Sequence, residues 1–224
     1  MVVRRGGARP DPVAADPWID PRAFLSRPAP EVAPLLLGWS LQHTTPDGTV
    51  VVSLTEVEAY DGTSDPASHA FRGRSARNQV MFGPAGRLYV YLSHGLHNCA
   101  NVVTGPDGDA SAVLLRAGRV SHGVDLARTR RGERVADRSL ARGPGCLGQA
   151  LGLTTEHDSR DLLAAGSLTL RPPRRWVDPS SVVSGPRVGV SRADDVAWRF
   201  WLTGDATVSA YRKVKRGGDK QPPP

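Results

Sequence analysis

The amino-acid sequence predicts one α+β domain, in which helices surround a curved, mainly antiparallel sheet. Its 224 residues are enough for a single domain with a sizeable core. The apolar segments are short, and several alternate with polar residues as half-buried strands do. The connections between them are too short for repeated βαβ crossovers, so neighbouring strands should run antiparallel. The sequence contains no internal repeat, and it gives no sign of a second domain.

The domain is expected to occupy residues 17–211, between two segments of different composition. Residues 1–16 are rich in Gly, Pro, Arg and Asp and should form a disordered arm. Residues 212–224 are a basic, proline-terminated tail without an apolar pattern and should also be disordered. No apolar stretch follows the first arginines and no run of about 18 apolar residues occurs, so neither a secretory signal nor a membrane span is predicted.

Helices are predicted at three places along the chain. The region 21–37 begins with Pro21, which suits a first helical turn, and a second helix is predicted from Glu31 to Leu37. Residues 124–134 form the next predicted helix, which is strongly basic. A short helix is predicted over 147–151, after a G-P-G turn.

The predicted strands begin with a hairpin. Residues 40–43 and 50–59 are joined by T-P-D-G, whose proline, aspartate and glycine favour a tight turn. Later strands are predicted at 88–92, 99–103, 112–117, 167–170, 187–190 and 199–202.

One of these strands has an unusually polar face. In the run S-L-T-E-V-E-A-Y, side chains alternate between two faces. Glu56, Glu58 and Tyr60 therefore lie on one face, and Val57 and Ala59 lie on the other. Such a polar face on an otherwise apolar strand indicates the wall of a polar cleft. Two carboxylates this close would raise the pKa of one of them unless a cation lies between them, and their positions alone do not separate their roles.

Neighbouring segments carry more side chains suited to a cleft. D-P-A-S-H-A is a loop with turn chemistry, R-G-R-S-A-R-N is a basic loop, and the apolar segments that follow carry aromatic, amide and guanidinium groups. The candidates are His69, the loop 72–78, Tyr89, Tyr91, Asn101 and Arg116.

Charge and cysteine content restrict the class of protein. A formal net charge of +7 and a pI near 10.1 favour an anionic partner, nucleic acid ahead of a membrane surface. Nearly all the positive charge is arginine, which suits bidentate phosphate contacts, although an arginine-rich genome would produce the same surface. Cys99 and Cys146 form no CxxC or CxxH pair, so neither a zinc site nor a disulfide framework is indicated, and a reducing cytoplasm is expected.

The basic run 128–142 has two interpretations. It is either a solvated face or disordered loop, or a surface that contacts phosphates. The first is favoured, because runs of like charge are usually solvated.

Several motifs together resemble one known family. E-V-E-A-Y, D-P-A-S-H-A, R-N-x-V-M-F-G-P-A-G-x-L-Y-V-Y, H-G-L-H-N-C-A-N-V-V and A-V-L-L-R-A occur in this order, followed by G-P-G-C-L-G-Q-A-L-G-L, P-R-V-G-V and W-R-F-W-L. Over roughly residues 30–208 they resemble the alkyladenine (3-methyladenine) DNA glycosylase family. The resemblance implies hydrolysis of the N-glycosidic bond of alkylated or deaminated purines in duplex DNA by base flipping, which leaves an abasic site.

The resemblance also implies catalytic roles. Glu58 matches the general base, while Arg116 and the main-chain carbonyl of Val188 match groups that hold the attacking water. Glu56 is the rival carboxylate, interpreted as a structural partner of an arginine. No lysine lies in the pocket stretch, so no Schiff-base nucleophile is evident and a monofunctional enzyme without metal or other cofactor is expected.

Substrate-binding residues follow from the same resemblance. Tyr60, His69 and Tyr91 match the residues that sandwich the flipped base, and stacking of this kind tolerates many purines. Asn101 matches the residue whose bulk excludes the guanine amino group.

This chain departs from the family pattern at two positions. His94 stands where the family often has a tyrosine that intercalates into the DNA, and Leu96 could assist it. Cys146 stands where a lysine is common, so a cationic role at that position would be missing.

Two rival functions are a nucleic-acid-binding damage sensor without catalysis and a nucleoside or glycoside hydrolase. Glu58 argues against the sensor, and the basic surface argues against the hydrolase. We expect a monomer whose partner is double-stranded DNA with damaged purines, located in the cytoplasm and associated with the nucleoid if the source is bacterial. The ranking of 3-methyladenine, 7-methylguanine, hypoxanthine and ethenoadenine as substrates stays open.

Overall fold

A computed structural model describes residues 20–212, in which eight strands form one strongly curled antiparallel sheet. The strands are β1 (Ser40–Thr45), β2 (Gly48–Tyr60), β3 (Leu88–Ser93), β4 (His97–Val103), β5 (Ala112–His122), β6 (Leu168–Arg171), β7 (Val182–Gly185) and β8 (Arg199–Leu202). Their order in the sheet is β3-β4-β5-β2-β1-β6, while β8 pairs with both β2 and β7. The predicted α+β class with a single domain is confirmed. The predicted arm lies outside the described residues, and so does the tail except for Arg212.

Four α-helices and several short 3-10 turns surround the sheet within residues 20–212. The helices are α1 (Pro21–Leu25), α2 (Ala29–Val32), α3 (Val124–Arg131) and α4 (Pro144–Leu151). The helix predicted from Glu31 begins earlier, at Ala29, and continues as a 3-10 helix over Ala33–Leu36. Pro34 explains the change, because it has no N–H for an α-helical hydrogen bond. None of the helices described is long and apolar enough to cross a membrane.

Strand β2 is the centre of the sheet. Its first half pairs with β1 through the predicted T-P-D-G hairpin, where Thr45 faces Gly48. Its second half pairs with β8, and β5 runs along its other edge with shifts of register on both sides of Glu56. These irregularities increase the local twist, so the sheet curls around the side chains of β2.

The main core lies between the sheet and the helices. Leu25, Leu36, Trp39 and Leu41 are almost completely buried there, in one cluster with the apolar faces of β2 and β5. Helix α4 packs closely on β4, and Gly148 permits this contact because a Cβ at that position would lie 2.1 Å from the carbonyl oxygen of Asn98.

The strand predicted at 187–190 is wrong. Strand β7 pairs with β8 instead, and the chain beyond Pro186 forms an irregular loop. Pro186 offers no N–H to a ladder, and Gly189 has a φ of 76°, which a strand does not allow. The side chain of Arg187 is fully buried in an ion pair with Asp65, which fixes the loop in its place.

Candidate active site

The predicted site residues meet in one cleft of about 800 Å³, which opens on one side of the curled sheet. Its walls come from β3, β4 and β5, from the loop that carries His69, and from the loop that follows Arg187. The predicted residues that line it are Tyr60, His69, Tyr91, His94, Asn101, Arg116 and Val188. Glu58 lies directly beneath them, fully buried.

Glu56, Glu58, Tyr60 and Arg116 form the floor of the cleft. Alternation along β2 places the first three on one face, as the sequence predicts, and β5 supplies the arginine. Arg116 Nε donates to Glu56 Oε1 at 2.9 Å, and its Nη1 donates to Glu58 Oε2 at 3.3 Å. The guanidinium therefore lies between the two carboxylates, and it reduces their mutual repulsion.

Glu58 has a hydrogen-bond donor at each of its carboxylate oxygens. The hydroxyl of Tyr60 donates to Oε2 at 2.9 Å, and the main-chain N–H of Val188 donates to Oε1 at 2.7 Å. Burial nevertheless raises the pKa of Glu58, and Arg116, the Val188 N–H and the Tyr60 hydroxyl only partly oppose this rise. A carboxyl with a raised pKa takes up a proton more readily than an ordinary one, which suits a general base.

Glu56 is bound much more tightly than Glu58. Besides Arg116, Arg199 Nε donates to it at 2.7 Å, and Ser209 donates through its N–H at 2.6 Å and its hydroxyl at 2.8 Å. Burial favours its protonation, but the two arginines and Ser209 outweigh burial and lower the pKa of Glu56. Glu56 pairs with arginine as expected, and it has little freedom to accept a proton.

The sequence analysis missed Arg199 and Ser209. Arg199 lies inside the motif W-R-F-W-L, so that motif was the available signal, whereas nothing in the local sequence distinguishes Ser209. Both residues hold Glu56, and Ser209 also accepts a hydrogen bond from Arg116 Nη2 at 3.3 Å. They fix the guanidinium that contacts Glu58.

Aromatic rings form the upper wall of the cleft. The rings of His69 and Tyr91 meet edge to face with centroids 4.6 Å apart, and His69 Nδ1 lies 3.0 Å from the Tyr89 hydroxyl. Partial burial and the charge of Arg77 lower the pKa of His69, so its imidazole is neutral at neutral pH. The side-chain amide of Asn78 donates to the His69 carbonyl at 2.9 Å and ties this loop down.

Asn101 is buried at the inner end of the cleft. It lies within β4 opposite Tyr89, whose carbonyl accepts a hydrogen bond from its amide at 3.1 Å. Its side chain is therefore fixed in orientation rather than free to turn.

His94 lies at the exposed tip of the β3–β4 hairpin. Its backbone has a φ of 50°, which is unusual for a residue other than glycine, and Gly95 follows with a φ of 69°. Leu96, beside it, is 76% exposed. The tip thus presents an imidazole and an apolar side chain at the mouth of the cleft.

Arginines that line the cleft mouth differ from those of the basic run 128–142. Arg72, Arg77 and Arg192 are exposed and line the cleft, and the sequence indicated the first two only as part of a basic loop. His94 and these three arginines are called the rim below.

Within the basic run, several guanidinium groups are used in internal contacts. Arg128 pairs with Asp125 and Asp137 at 2.6 and 2.7 Å. Arg131 Nη2 donates to Cys146 Sγ at 2.9 Å, so an arginine contacts the residue that stands where the family commonly has lysine.

No group of three or more His, Cys, Asp or Glu side chains within residues 20–212 is arranged to hold a metal ion.

Comparison with known proteins gives the class of this chain. The model of the family described as Methylpurine-DNA glycosylase (MPG) matches residues 23–206. The chain is therefore a DNA glycosylase, an enzyme that hydrolyses N-glycosyl bonds.

Similar proteins from three bacteria carry the name "Putative 3-methyladenine DNA glycosylase". The one from Streptomyces avermitilis is 53% identical over 194 residues, which cover 85% of this chain and 91% of that protein. The one from Cutibacterium acnes is 50% identical over 192 residues, which cover 84% of this chain and 98% of that protein. The one from Mycobacterium tuberculosis is 53% identical over 169 residues, which cover 73% of this chain and 81% of that protein. The chain belongs to the methylpurine-DNA glycosylase family.

Proposed function

We propose that this enzyme removes alkylated or deaminated purines of the 3-methyladenine type from duplex DNA by base flipping and leaves an abasic site. The observation that carries the proposal is Glu58, a fully buried carboxylate beneath a cleft with aromatic walls. A base inside a duplex cannot reach such a buried group, so the damaged nucleotide has to leave the stack.

In the proposed reaction, ionised Glu58 accepts a proton from a water molecule while the water oxygen bonds to C1′ of the sugar. The bond between C1′ and the base nitrogen breaks, and its electron pair leaves with the base. The sugar develops positive charge in the transition state, which the Glu58 carboxylate stabilises. Arg116 and the carbonyl of Val188 position the water.

The aromatic wall holds the flipped base in this proposal. Tyr60, His69 and Tyr91 stack on it, and each stacked base gains about 1–3 kcal/mol. Asn101 excludes purines with an amino group like that of guanine, because its own amide is fixed by Tyr89. His94 fills the space that the base leaves in the duplex.

Strand cleavage does not follow base removal in this proposal. The lysines of the chain are Lys213, Lys215 and Lys220, so none lies in the sequence that builds the cleft. Without a lysine amine there, no Schiff base forms with the sugar. We further propose that the enzyme acts as a monomer in the cytoplasm, associated with the nucleoid.

An excision assay on a panel of labelled duplexes tests the proposal. Duplexes containing 3-methyladenine, 7-methylguanine, hypoxanthine or ethenoadenine are incubated with excess enzyme, then divided for direct analysis and for alkali treatment. We expect release of free base and strand breaks only after alkali, and neither from an undamaged duplex nor with Glu58→Gln. Failure to release any base, or strand breaks without alkali, would contradict the proposal, and release from free nucleosides but not duplexes would favour a nucleoside hydrolase.

A further inference from the structure

A buried cation covers one face of the Tyr60 ring. The guanidinium carbon of Arg187 lies 4.7 Å from the centroid of that ring and 5.3 Å from the centroid of Trp198. The Arg187 side chain is fully buried and does not line the cleft, whereas Tyr60 does. A base stacked on Tyr60 from the cleft would therefore have a permanent positive charge behind the ring.

Asp65 holds this cation in place. Both terminal nitrogens of Arg187 donate to the Asp65 carboxylate, one of them at 2.9 Å, and Nη1 also donates to the carbonyl of Ala59 at 2.9 Å. Its Nε is buried, and no residue within 20–212 accepts a hydrogen bond from it. Burying two charges and an unpaired donor gives little net stability, since apolar residues of the same volume often serve as well or better. A contribution to function is a better explanation for the pair.

The position of the charge gives it an effect on substrate choice. An aromatic ring attracts a cation to each face through its quadrupole, but a cation on one face weakens the attraction of a second cation on the other. Purines alkylated at a ring nitrogen are cationic, whereas hypoxanthine and ethenoadenine are neutral. Stacking on Tyr60 therefore stabilises a bound cationic purine less than it would without Arg187.

We propose that Arg187, held by Asp65, is a specificity-determining residue that weakens the stacking of cationic purines on Tyr60 relative to neutral ones. This inference rests on the proposed function, since it concerns the base in the same pocket. Cationic purines are already good leaving groups and need little help. Weaker stacking of the cationic purines reduces the difference in excision rate between them and the neutral purines, whose release needs more help from the enzyme.

Two single substitutions should shift selectivity in opposite directions. Arg187→Gln removes the cation but leaves Asp65, so the ratio of single-turnover excision of 3-methyladenine, which is cationic and lacks the guanine amino group, to that of hypoxanthine should rise by about threefold to tenfold. Asp65→Asn keeps hydrogen bonding but removes the compensating negative charge, so the ratio should fall. Arg187→Lys keeps the charge and should stay near the parent ratio.

The opposite signs separate an electrostatic role from a structural one. A merely structural role would lower both rates in both variants and move the ratios together. Ratios that are unchanged, or that move in the same direction in the folded variants, overturn the inference while leaving the proposed function intact.

Two further results complete the test. A parent enzyme that releases no base from any lesion overturns the proposed function itself. If one single variant does not fold, the double variant Asp65→Asn with Arg187→Gln keeps a neutral hydrogen-bonded pair. Its ratio should exceed that of the parent, and a ratio equal to or below the parent's counts against the inference.

Discussion

The floor and the rim of the cleft are built on opposite principles. Glu56 and Glu58 on the floor have no solvent exposure, and their oxygens accept hydrogen bonds from groups on β2, β5, β8 and the loops. On the rim, His94, Arg72, Arg77 and Arg192 are exposed. Groups that take part in chemistry gain from fixed, dry surroundings, while groups that meet a large charged partner have to stay accessible. Substitutions on the floor should therefore change rate constants, and those on the rim should change affinity and dependence on base pairing.

The largest effect is expected from Glu58→Gln on the floor. The substitution keeps the shape of the side chain but removes the base and its negative charge, so single-turnover excision should fall by about 10²–10⁴ or more. Binding to lesion DNA should stay within a few-fold of the parent, as measured by fluorescence anisotropy.

Glu56→Gln is the matched control, since it makes the same change two residues away. It would leave Arg199 without its carboxylate and Arg116 with that of Glu58 alone, and loss of one partner of a buried pair costs about 3–5 kcal/mol of stability. We expect a lower melting temperature as its main effect. Near-normal turnover of Glu58→Gln would show that Glu58 is not the general base.

The pH dependence of excision sharpens the distinction between the two carboxylates. The base acts only when ionised, and the pKa of Glu58 is raised by burial, so activity should rise with pH through a range above the ordinary glutamate value of 4.5. Below that pKa the rate should fall about tenfold per pH unit. Arg116→Gln removes a charge that lowers the pKa of Glu58, so the rise in activity with pH should occur at higher pH in this variant. A neutral lesion is the substrate to use, and a rate independent of pH down to 4.5 would contradict the assignment.

On the rim, His94 should show a smaller effect that depends on base pairing. If its ring enters the stack, His94→Ala should reduce excision from well-paired duplexes several-fold and from mismatched lesions least, because extrusion there already costs less. His94→Tyr should restore or improve the duplex reaction by filling the gap more completely. Equal activity of parent and both variants on paired and mismatched lesions would show that His94 stays outside the DNA.

The smallest effect on rate is expected from the rim arginines, whose contribution should appear in the salt dependence. The double variant Arg72→Gln with Arg192→Gln, which leaves Arg77 beside the Tyr91 ring, should flatten the slope of log K against log salt by about 0.9 per lost phosphate contact. Damaged and undamaged duplexes should weaken equally, since phosphate contacts carry no base information.

Arg134→Gln with Arg138→Gln removes the same charge from the exposed part of the basic run 128–142. This control should leave the slope unchanged. If the slope were flatter in the control than in the rim variant, the phosphate contacts would have to be assigned to the basic run instead of the rim.

The features of the fold that depend on local periodicity and turn residues could be predicted from the sequence. Alternation along β2 correctly placed Glu56, Glu58 and Tyr60 on one face, and the T-P-D-G hairpin formed where the turn residues indicated. The likeness to a family, rather than periodicity, selected Glu58 as the base.

The features that sequence analysis missed depend on contacts between distant segments. Arg199 and Ser209 follow Glu56 by 143 and 153 positions, a separation that no local pattern encodes. The strand predicted at 187–190 failed for a related reason. Alternating apolar residues favoured a strand there, but the buried pair of Arg187 with Asp65 and the positive φ of Gly189 impose a loop.

The late position of Arg199 and Ser209 means that the contacts of Glu56 are completed only near the end of synthesis of the domain. At about 5–20 residues per second, a ribosome needs roughly 8–30 seconds to pass from Glu56 to Ser209. Until then Arg116 is the partner of Glu56 already made, so the buried carboxylate is only partly compensated and the second half of β2 lacks its pairing with β8. Chains arrested after residue 198 should remain sensitive to protease within β2, while chains extended beyond Ser209 should resist it. The floor of the cleft is therefore complete only when nearly the whole domain has been made.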